Sequence, residues 1–121
     1  MRMSRLKTHL NRAREFKRAA ELVDYPDAKV QMWCVSAHHF IEACAAKKRQ
    51  HIHKPERVAD ELNRNPAILG SDSGRIVKAF RYLDREARAK FVDSDSGTKA
   101  DLERARKSFE LVESTCEAIL Q

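Results

Sequence analysis

Hydrophobic side chains recur every three or four positions along most of this chain, a spacing typical of amphipathic helices. One stripe of Leu6, Leu10, Phe16 and Val23 predicts a first helix over residues 4–23. A second predicts a closing helix that begins after Thr98, where an acid three residues later suits a capping box. That second stripe consists of Leu102, Ala105, Phe109, Val112, Cys116 and Ile119.

The segment 27–48 is apolar on two sides when it is drawn as a helix. One side carries Val30, Trp33, Ala37, Phe40, Ile41 and Cys44, and the other carries Met32, Val35, His39 and Ala43. A helix of this kind lies at the centre of a bundle or is shared with a partner chain. We therefore predict a homodimer, because exposed apolar area of that extent normally marks an interface. The predicted interface residues are Trp33, Phe40, Met32 and His39.

The middle of the chain is less regular. A short helix is predicted over 55–63 and a longer one over 72–90, separated by a break at Asn65-Pro66 and a mobile connection at Gly70–Gly74. No hairpin signal or repeat is visible. The fold class predicted is all-α: an antiparallel up-and-down bundle of four long helices plus one short helix, forming a single domain over residues 1–121.

Composition indicates where in the cell this domain is expected. No apolar run approaches the roughly 18 residues needed to cross a bilayer, and the charged N-terminal pattern is unlike a signal peptide. The three cysteines all fall within helical patterns, which suits reduced, buried thiols. We expect a cytoplasmic protein without a membrane partner.

Positive charge is concentrated in blocks. The formal net charge is +6, and residues 1–20 alone carry seven basic side chains against the single acid Glu15. Such blocks attract polyanions, although solvated helix faces also favour Lys and Arg. The predicted anion- or RNA-binding residues are Lys47, Lys48, Arg49, His51, Lys54, Arg57, Arg81, Arg85 and Arg88.

The histidines are the candidates for chemistry. Cys34, His38 and Glu42 lie one turn apart and would offer three metal ligands on one helix, but such ligands usually need a second helix to complete the site. We interpret His38 as a structural residue that bonds to Glu42, and we predict no metal and no cofactor. His51 and His53 suit either a ligand-binding loop or a solvated one. No phosphate-binding loop or nucleophile motif occurs.

The order of these features resembles small stand-alone HEPN-domain proteins. The resemblance covers nearly the whole chain and rests on the Arg-Ala-Arg-Glu-Phe stretch at 12–16, Tyr25-Pro26-Asp27, the helix from Val30, the turn 51–57 and the segment 80–91. His38-His39 occupies the place where that family commonly carries an aromatic pair. The resemblance implies a bundle of about five helices that usually dimerises and frequently acts on RNA.

Active HEPN ribonucleases use an Arg followed by four to six residues and then a His, and their dimers form a metal-independent cleft. Here Arg49 and His53 have only three residues between them. Lys48 and Lys47 meet the spacing but lack the planar guanidinium that holds a phosphate at two points. Arg2 and His9 meet the spacing formally, but they lie at the start of the first helix, and one chance match is expected among 14 Arg and five His. The ribonuclease motif is therefore absent or degenerate in this chain.

Three functions follow from these observations. The first is a HEPN-like homodimer that binds RNA or a partner protein. The second is a toxin-like, metal-independent endoribonuclease with His53 as general base and Arg49 or Lys48 holding the phosphate. The third is a structural adaptor bundle. Salt-dependent RNA binding separates the first from the third, and RNA cleavage in excess chelator, lost in His53→Ala, identifies the second.

Overall fold

Six α-helices and three short helical segments of other types follow one another in the computed structural model, which describes residues 5–121. No strand occurs among these residues, so the all-α prediction is confirmed. The α-helices are α1 (Arg5–Leu22), α2 (Pro26–Lys47), α3 (Val58–Arg64), α4 (Ser73–Arg81), α5 (Arg88–Phe91) and α6 (Lys99–Leu120). The predicted start of the first helix at residue 4 lies outside the described residues.

The remaining helical segments connect these elements. Pro55–Arg57 and Gly70–Asp72 are single 3₁₀ turns that precede α3 and α4. Tyr82–Ala87 is π-helical and joins α4 to α5, so that residues 73–91 form one helical stretch. The long and short helices predicted from the sequence are thus present, with ends that differ by one or two residues.

Helix α2 is the centre of the core. Eleven of its residues are buried within the single chain. Ser36 Oγ donates a hydrogen bond to the Ala13 carbonyl of α1 at 2.6 Å, and the Phe40 ring contacts Phe109 of α6 with centroids 6.3 Å apart. The chain's own helices therefore cover most of the circumference of α2.

This packing places two of the predicted interface residues in the core of a single chain. Phe40 is fully buried and Trp33 is 8% exposed, and both belong to the core of one chain. Their burial requires no partner, because α6 already covers them. Met32 is half-buried and packs against the same core, and His39 is half-buried. Val35, at 38% exposed, is the large apolar side chain that α2 leaves on the surface.

Two connections predicted to be mobile or solvated are anchored instead. Ile52 is 1% exposed, so its side chain holds the loop after α2 against the core. Ile68 and Leu69 are buried just before Gly70, which adopts a left-handed φ of 61° and lets the chain turn directly into α4. Gly and Ser predict a turn, but the buried neighbours fix its position.

Helix ends follow the predicted chemistry at α6. Thr98 Oγ1 accepts a hydrogen bond from the Asp101 backbone N–H, and the Asp101 carboxylate accepts one from Thr98 N–H, so the predicted capping box is confirmed. All three cysteines are free and buried, as expected. Within the described part of the chain, no helix combines the length and hydropathy needed to cross a membrane.

Candidate functional site

All five histidines of the chain gather around one buried carboxylate, that of Glu42: three face it directly, and the other two contact one of those three. We call this group the histidine cluster; it comprises His9, His38, His39, His51, His53 and Glu42. His9 comes from α1, the adjacent pair from α2, and the last two from the loop after α2. The Ser36–Ala13 hydrogen bond aligns α1 with α2 so that His9 lies beside the α2 residues. Burial of Ile52 folds the loop back over them.

Glu42 stands in an otherwise apolar part of α2 and is 4% exposed. Its Oε2 lies 2.7 Å from His9 Nε2, a hydrogen-bonding distance. Its Oε1 lies 3.6 Å from His38 Nε2 and 4.0 Å from His51 Nδ1, which is beyond a hydrogen bond in both cases. Oε2 is therefore hydrogen-bonded to His9, whereas Oε1 lies near two imidazoles and forms a hydrogen bond with neither.

His9 connects Glu42 to a further imidazole. Its Nδ1 lies 2.9 Å from Nδ1 of His39, whose ring stacks on Phe16 at a centroid distance of 5.9 Å. Two ring nitrogens at this distance share either a proton or a cation. With neutral rings, His39 donates to His9 and His9 donates to Glu42, which satisfies the three groups in one chain of hydrogen bonds.

Burial sets the protonation of these groups. Desolvation, followed by the neighbouring rings of His39 and His51, lowers the pKa of His9 to about 4. Burial likewise lowers the pKa of His38 and that of His39. Desolvation raises the pKa of Glu42 to about 7, against the opposing effect of Arg5. The imidazoles of His9, His38 and His39 are thus neutral near pH 7, which is the form that accepts protons and binds metal ions.

The predicted His38–Glu42 hydrogen bond does not form. His38 Nε2 donates instead to the Ile52 carbonyl at 3.1 Å and pins the loop after α2. The possible metal ligands along this stripe of α2 do not form a site either: Cys34 and His38 line the cleft that holds Asp84 and Arg88, whereas Glu42 is buried and lies against His9. Side chains one turn apart on a helix need not converge when the neighbouring elements draw them in different directions.

The outer edge of the cluster opens into a groove. His51 Nε2 and His53 Nδ1 are 2.8 Å apart, and the cavity beside them has a volume of about 370 Å³. Its lining residues are His51, Ile52, His53, Lys54, Arg57 and Glu61. Arg57 approaches Glu61 at 3.6 Å, whereas His53, Lys54 and Arg57 are all exposed. The structure thus brings four of the predicted site residues into one groove, which we call the loop groove.

The remaining predicted residues near this loop lie outside its lining. Lys47 Nζ donates to the Ile119 carbonyl at the end of α6, so it closes a helix terminus. Lys48 is exposed at the end of α2. Arg49 follows in the left-handed conformation with φ of 59°. Arg49, predicted to act with His53, is therefore a neighbour of the loop groove rather than part of it.

The predicted arginine row lies beyond Pro55. One cleft of about 100 Å³ contains His38, Pro55, Asp84 and Arg88. Arg81 and Arg85 line the next depression, also against Pro55, and both are exposed. Arg88 is paired with Asp84 at 3.3 Å. Pro55 lines both depressions, so the arginine row adjoins the histidine cluster at His38. Acidic side chains such as Asp84 neutralise part of the charge of this row.

Sequence reasoning missed His9 and the partnership of His39 with Glu42. His39 and Glu42 form a His-x-x-Glu pair, which places both side chains on one face of a helix, and that spacing was the available signal. His9 carries no local signal, because only the packing of α1 on α2 brings it there. Together, His9, His39 and Glu42 offer ligand atoms that all lie within 4.8 Å of one another.

Comparisons with known proteins add no relative: no family model, no curated protein and no solved structure matches this chain.

Proposed function

We propose that this protein is a HEPN-like helical module that binds RNA, with the phosphate backbone held in the loop groove. One observation carries the proposal: His51, His53, Lys54 and Arg57 line a single groove of about 370 Å³ at the exposed end of α2. Lys and Arg supply the phosphate contacts that dominate nucleic-acid affinity. Imidazole and guanidinium planes also stack on unpaired bases.

The left-handed backbone conformation of Arg49 is a second observation that points to a function for this loop. The Gln50 N–H donates to the Ala45 carbonyl at 2.8 Å, which closes α2 in the manner of a Schellman motif. The left-handed residue in that motif is usually Gly, and a side chain there costs about 1–2 kcal/mol. The chain places Arg49 at this position. Strain of this kind clusters where function requires a particular side chain.

We also propose that the helices form an up-and-down antiparallel bundle. Contacts between α1 and α2 pair Ala20 with Lys29 and His9 with Glu42, in opposite order along the two helices. The same opposite order relates α1 to α6, where Lys17 pairs with Glu113 and Arg14 with Glu117. These pairs support the up-and-down antiparallel order that the HEPN resemblance implies.

Matched charge reversals test RNA binding. The double variant Lys54→Glu/Arg57→Glu should weaken binding of single-stranded RNA and reduce the slope of log K against log salt by about 1.4, from two phosphate contacts at roughly 0.7 each. Lys99→Glu/Lys107→Glu changes the net charge equally on exposed positions of α6. Equal losses in the two variants would mean diffuse charge attraction and would contradict a groove.

Arg49→Gly separates binding from stability. Gly suits the left-handed position, so this variant should unfold at a higher temperature than the parent while it binds RNA more weakly. Weaker binding in a more stable protein cannot result from misfolding. Unchanged RNA affinity in Arg49→Gly would mean that Arg49, beside the loop groove, makes no contact with the RNA.

RNA cleavage is the second candidate, favoured by the 2.8 Å contact between His51 and His53. His53 is exposed and can act as the base that takes a proton from a ribose hydroxyl, with Arg57 in the same groove to hold the phosphate. Cleavage should persist in excess chelator and disappear in His53→Ala. Intact RNA after incubation with the parent protein would exclude this activity and leave binding alone.

We still predict a homodimer, but we expect its interface at the exposed face of α2 around Val35 and not at the buried Trp33 and Phe40. The face of α2 around Val35 is the apolar part left exposed, with half-buried Met32 and His39 beside it. Light scattering of the parent protein should show a dimer at micromolar concentration, and Val35→Glu should shift it to monomer. A dimer that binds no RNA at low salt would favour the adaptor function instead.

A further inference from the structure

The inner part of the histidine cluster satisfies the requirements of a metal site. We propose that His9, His39 and Glu42 bind a divalent first-row transition ion, with Zn²⁺ as the reference ion. The three side chains come from two helices, and one ligand atom from each lies within 4.8 Å of the others. The proposal concerns the interior of the cluster and does not depend on whether the loop groove binds RNA.

The three ligand atoms lie within 4.8 Å of one another, so side-chain rotation must bring them closer before they hold a small ion. Zn²⁺ binds His nitrogen and carboxylate oxygen at about 2.0–2.2 Å, so tetrahedral ligands lie roughly 3.3 Å apart. His9 contacts His39 through Nδ1 at 2.9 Å and Glu42 through Nε2 at 2.7 Å. Only one of these two nitrogens can bind the ion, so the His9 ring must turn to bring that nitrogen between the other two ligands. Binding would replace the hydrogen bonds of His9 with bonds to the ion, within a cluster that is already in place.

The surroundings hold the ligands in position. Phe16 stacks on the His39 ring with planes 9° apart, which fixes its orientation. Glu42 is 4% exposed, so its carboxylate is confined by the packing of α2. His51 Nδ1 is a buried nitrogen without a hydrogen-bond partner among the described residues, 4.0 Å from Glu42 Oε1. This nitrogen is available to bond a water on the open fourth position of the ion.

The donor set also selects the class of ion. Two imidazoles and one carboxylate suit Zn²⁺, Co²⁺ or Ni²⁺, whereas Mg²⁺ and Ca²⁺ prefer oxygen ligands throughout. No thiol contributes, which disfavours Cu⁺ and iron–sulfur clusters. Arg5 and Arg12 bring positive charge near the cluster and act against the ion, but both are exposed and screened by solvent.

Titration of metal-free protein with Zn²⁺ tests the site. Protein dialysed against chelator should bind one Zn²⁺ per chain by calorimetry, and its unfolding temperature should rise with Zn²⁺ concentration. Mg²⁺ should do neither. No saturable Zn²⁺ binding at micromolar concentration, or equal binding of Mg²⁺, would overturn the proposal.

Variants then locate the ion. Glu42→Gln keeps the size of the side chain and removes a ligand, so it should weaken Zn²⁺ binding at least tenfold, and His39→Gln should do the same. His53→Ala is the matched control, because it removes a histidine of the outer pair, and it should stay within about twofold of the parent. The unfolding temperatures of the metal-free variants check that each one folds.

The control also excludes the alternative site on the surface. If His53→Ala abolishes binding while Glu42→Gln does not, the ion sits on the exposed His51–His53 pair and the inner site is refuted. Co²⁺ gives a second readout, since its visible absorption is strong in a four-coordinate site and weak in a six-coordinate one. Strong absorption lost in Glu42→Gln would support the inner site, and weak absorption that is unchanged in that variant would contradict it.

Discussion

Replacement of Trp33 by Ala tests whether the centre of α2 is core or interface. Trp33 is 8% exposed, and its ring stacks on Phe109 at a centroid distance of 6.3 Å with planes 19° apart. Truncation of a buried Trp typically costs about 3–5 kcal/mol, because it removes apolar burial and leaves a cavity. At roughly 2.1 cal/mol/K of unfolding entropy per residue, a chain of 121 residues loses about 4 °C per kcal/mol. Trp33→Ala should therefore unfold about 12–20 °C below the parent.

Thermal unfolding followed by far-ultraviolet circular dichroism measures this loss, since Trp33 is the only Trp and the variant has no indole fluorescence. Gln31→Ala is the control two residues away: the Gln31 side chain is exposed, so the change should stay within about 0.5 kcal/mol. The loss in Trp33→Ala should not depend on protein concentration. A loss below about 1 kcal/mol that is accompanied by dissociation of a dimer would refute the core assignment and restore the interface.

Three further predictions concern two glycines near helix ends, the capping residue Asp101 and the buried thiols. Gly97→Ala should destabilise the protein because a Cβ there would meet the Phe91 ring at 2.5 Å, whereas Gly74→Ala has open space around it and should be neutral or stabilising in α4; thermal melts compare the two. The Thr98 N–H and Lys90 lower the pKa of Asp101 to about 2, so its stabilisation is complete above about pH 4 and is lost as the pH falls toward 2. Asp101→Asn should flatten stability over that range, and a parent-like pH profile would contradict the capping role. The buried thiols, with the pKa of Cys34 raised to about 12 by burial, should react with a thiol reagent only after denaturation; rapid labelling of the native protein would contradict their burial.

The sequence determines the helices and much of their boundaries. Periodic apolar residues and the Thr98–Asp101 pair act over one or two turns, so local physics suffices to place α1, α2 and α6. The two-sided apolar character of α2 likewise predicts a central helix, and the structure buries it among α1, α6 and residues 73–91. A local pattern cannot distinguish burial by neighbours in the same chain from burial by a partner, so the positions of Trp33 and Phe40 in the sequence fit a core and an interface equally well.

Tertiary structure alone decided the composition of the histidine cluster. The row of Cys34, His38 and Glu42 shares one stripe of α2, yet His38 bonds to the Ile52 carbonyl and the closest partner of Glu42 is His9, 33 positions away. Long-range packing sets such contacts: Ser36 on Ala13 fixes how α1 lies on α2, and buried Ile52 returns the loop to the same place. Spacing identifies which residues a helix presents on one face, but only the packing of that face determines which of them meet.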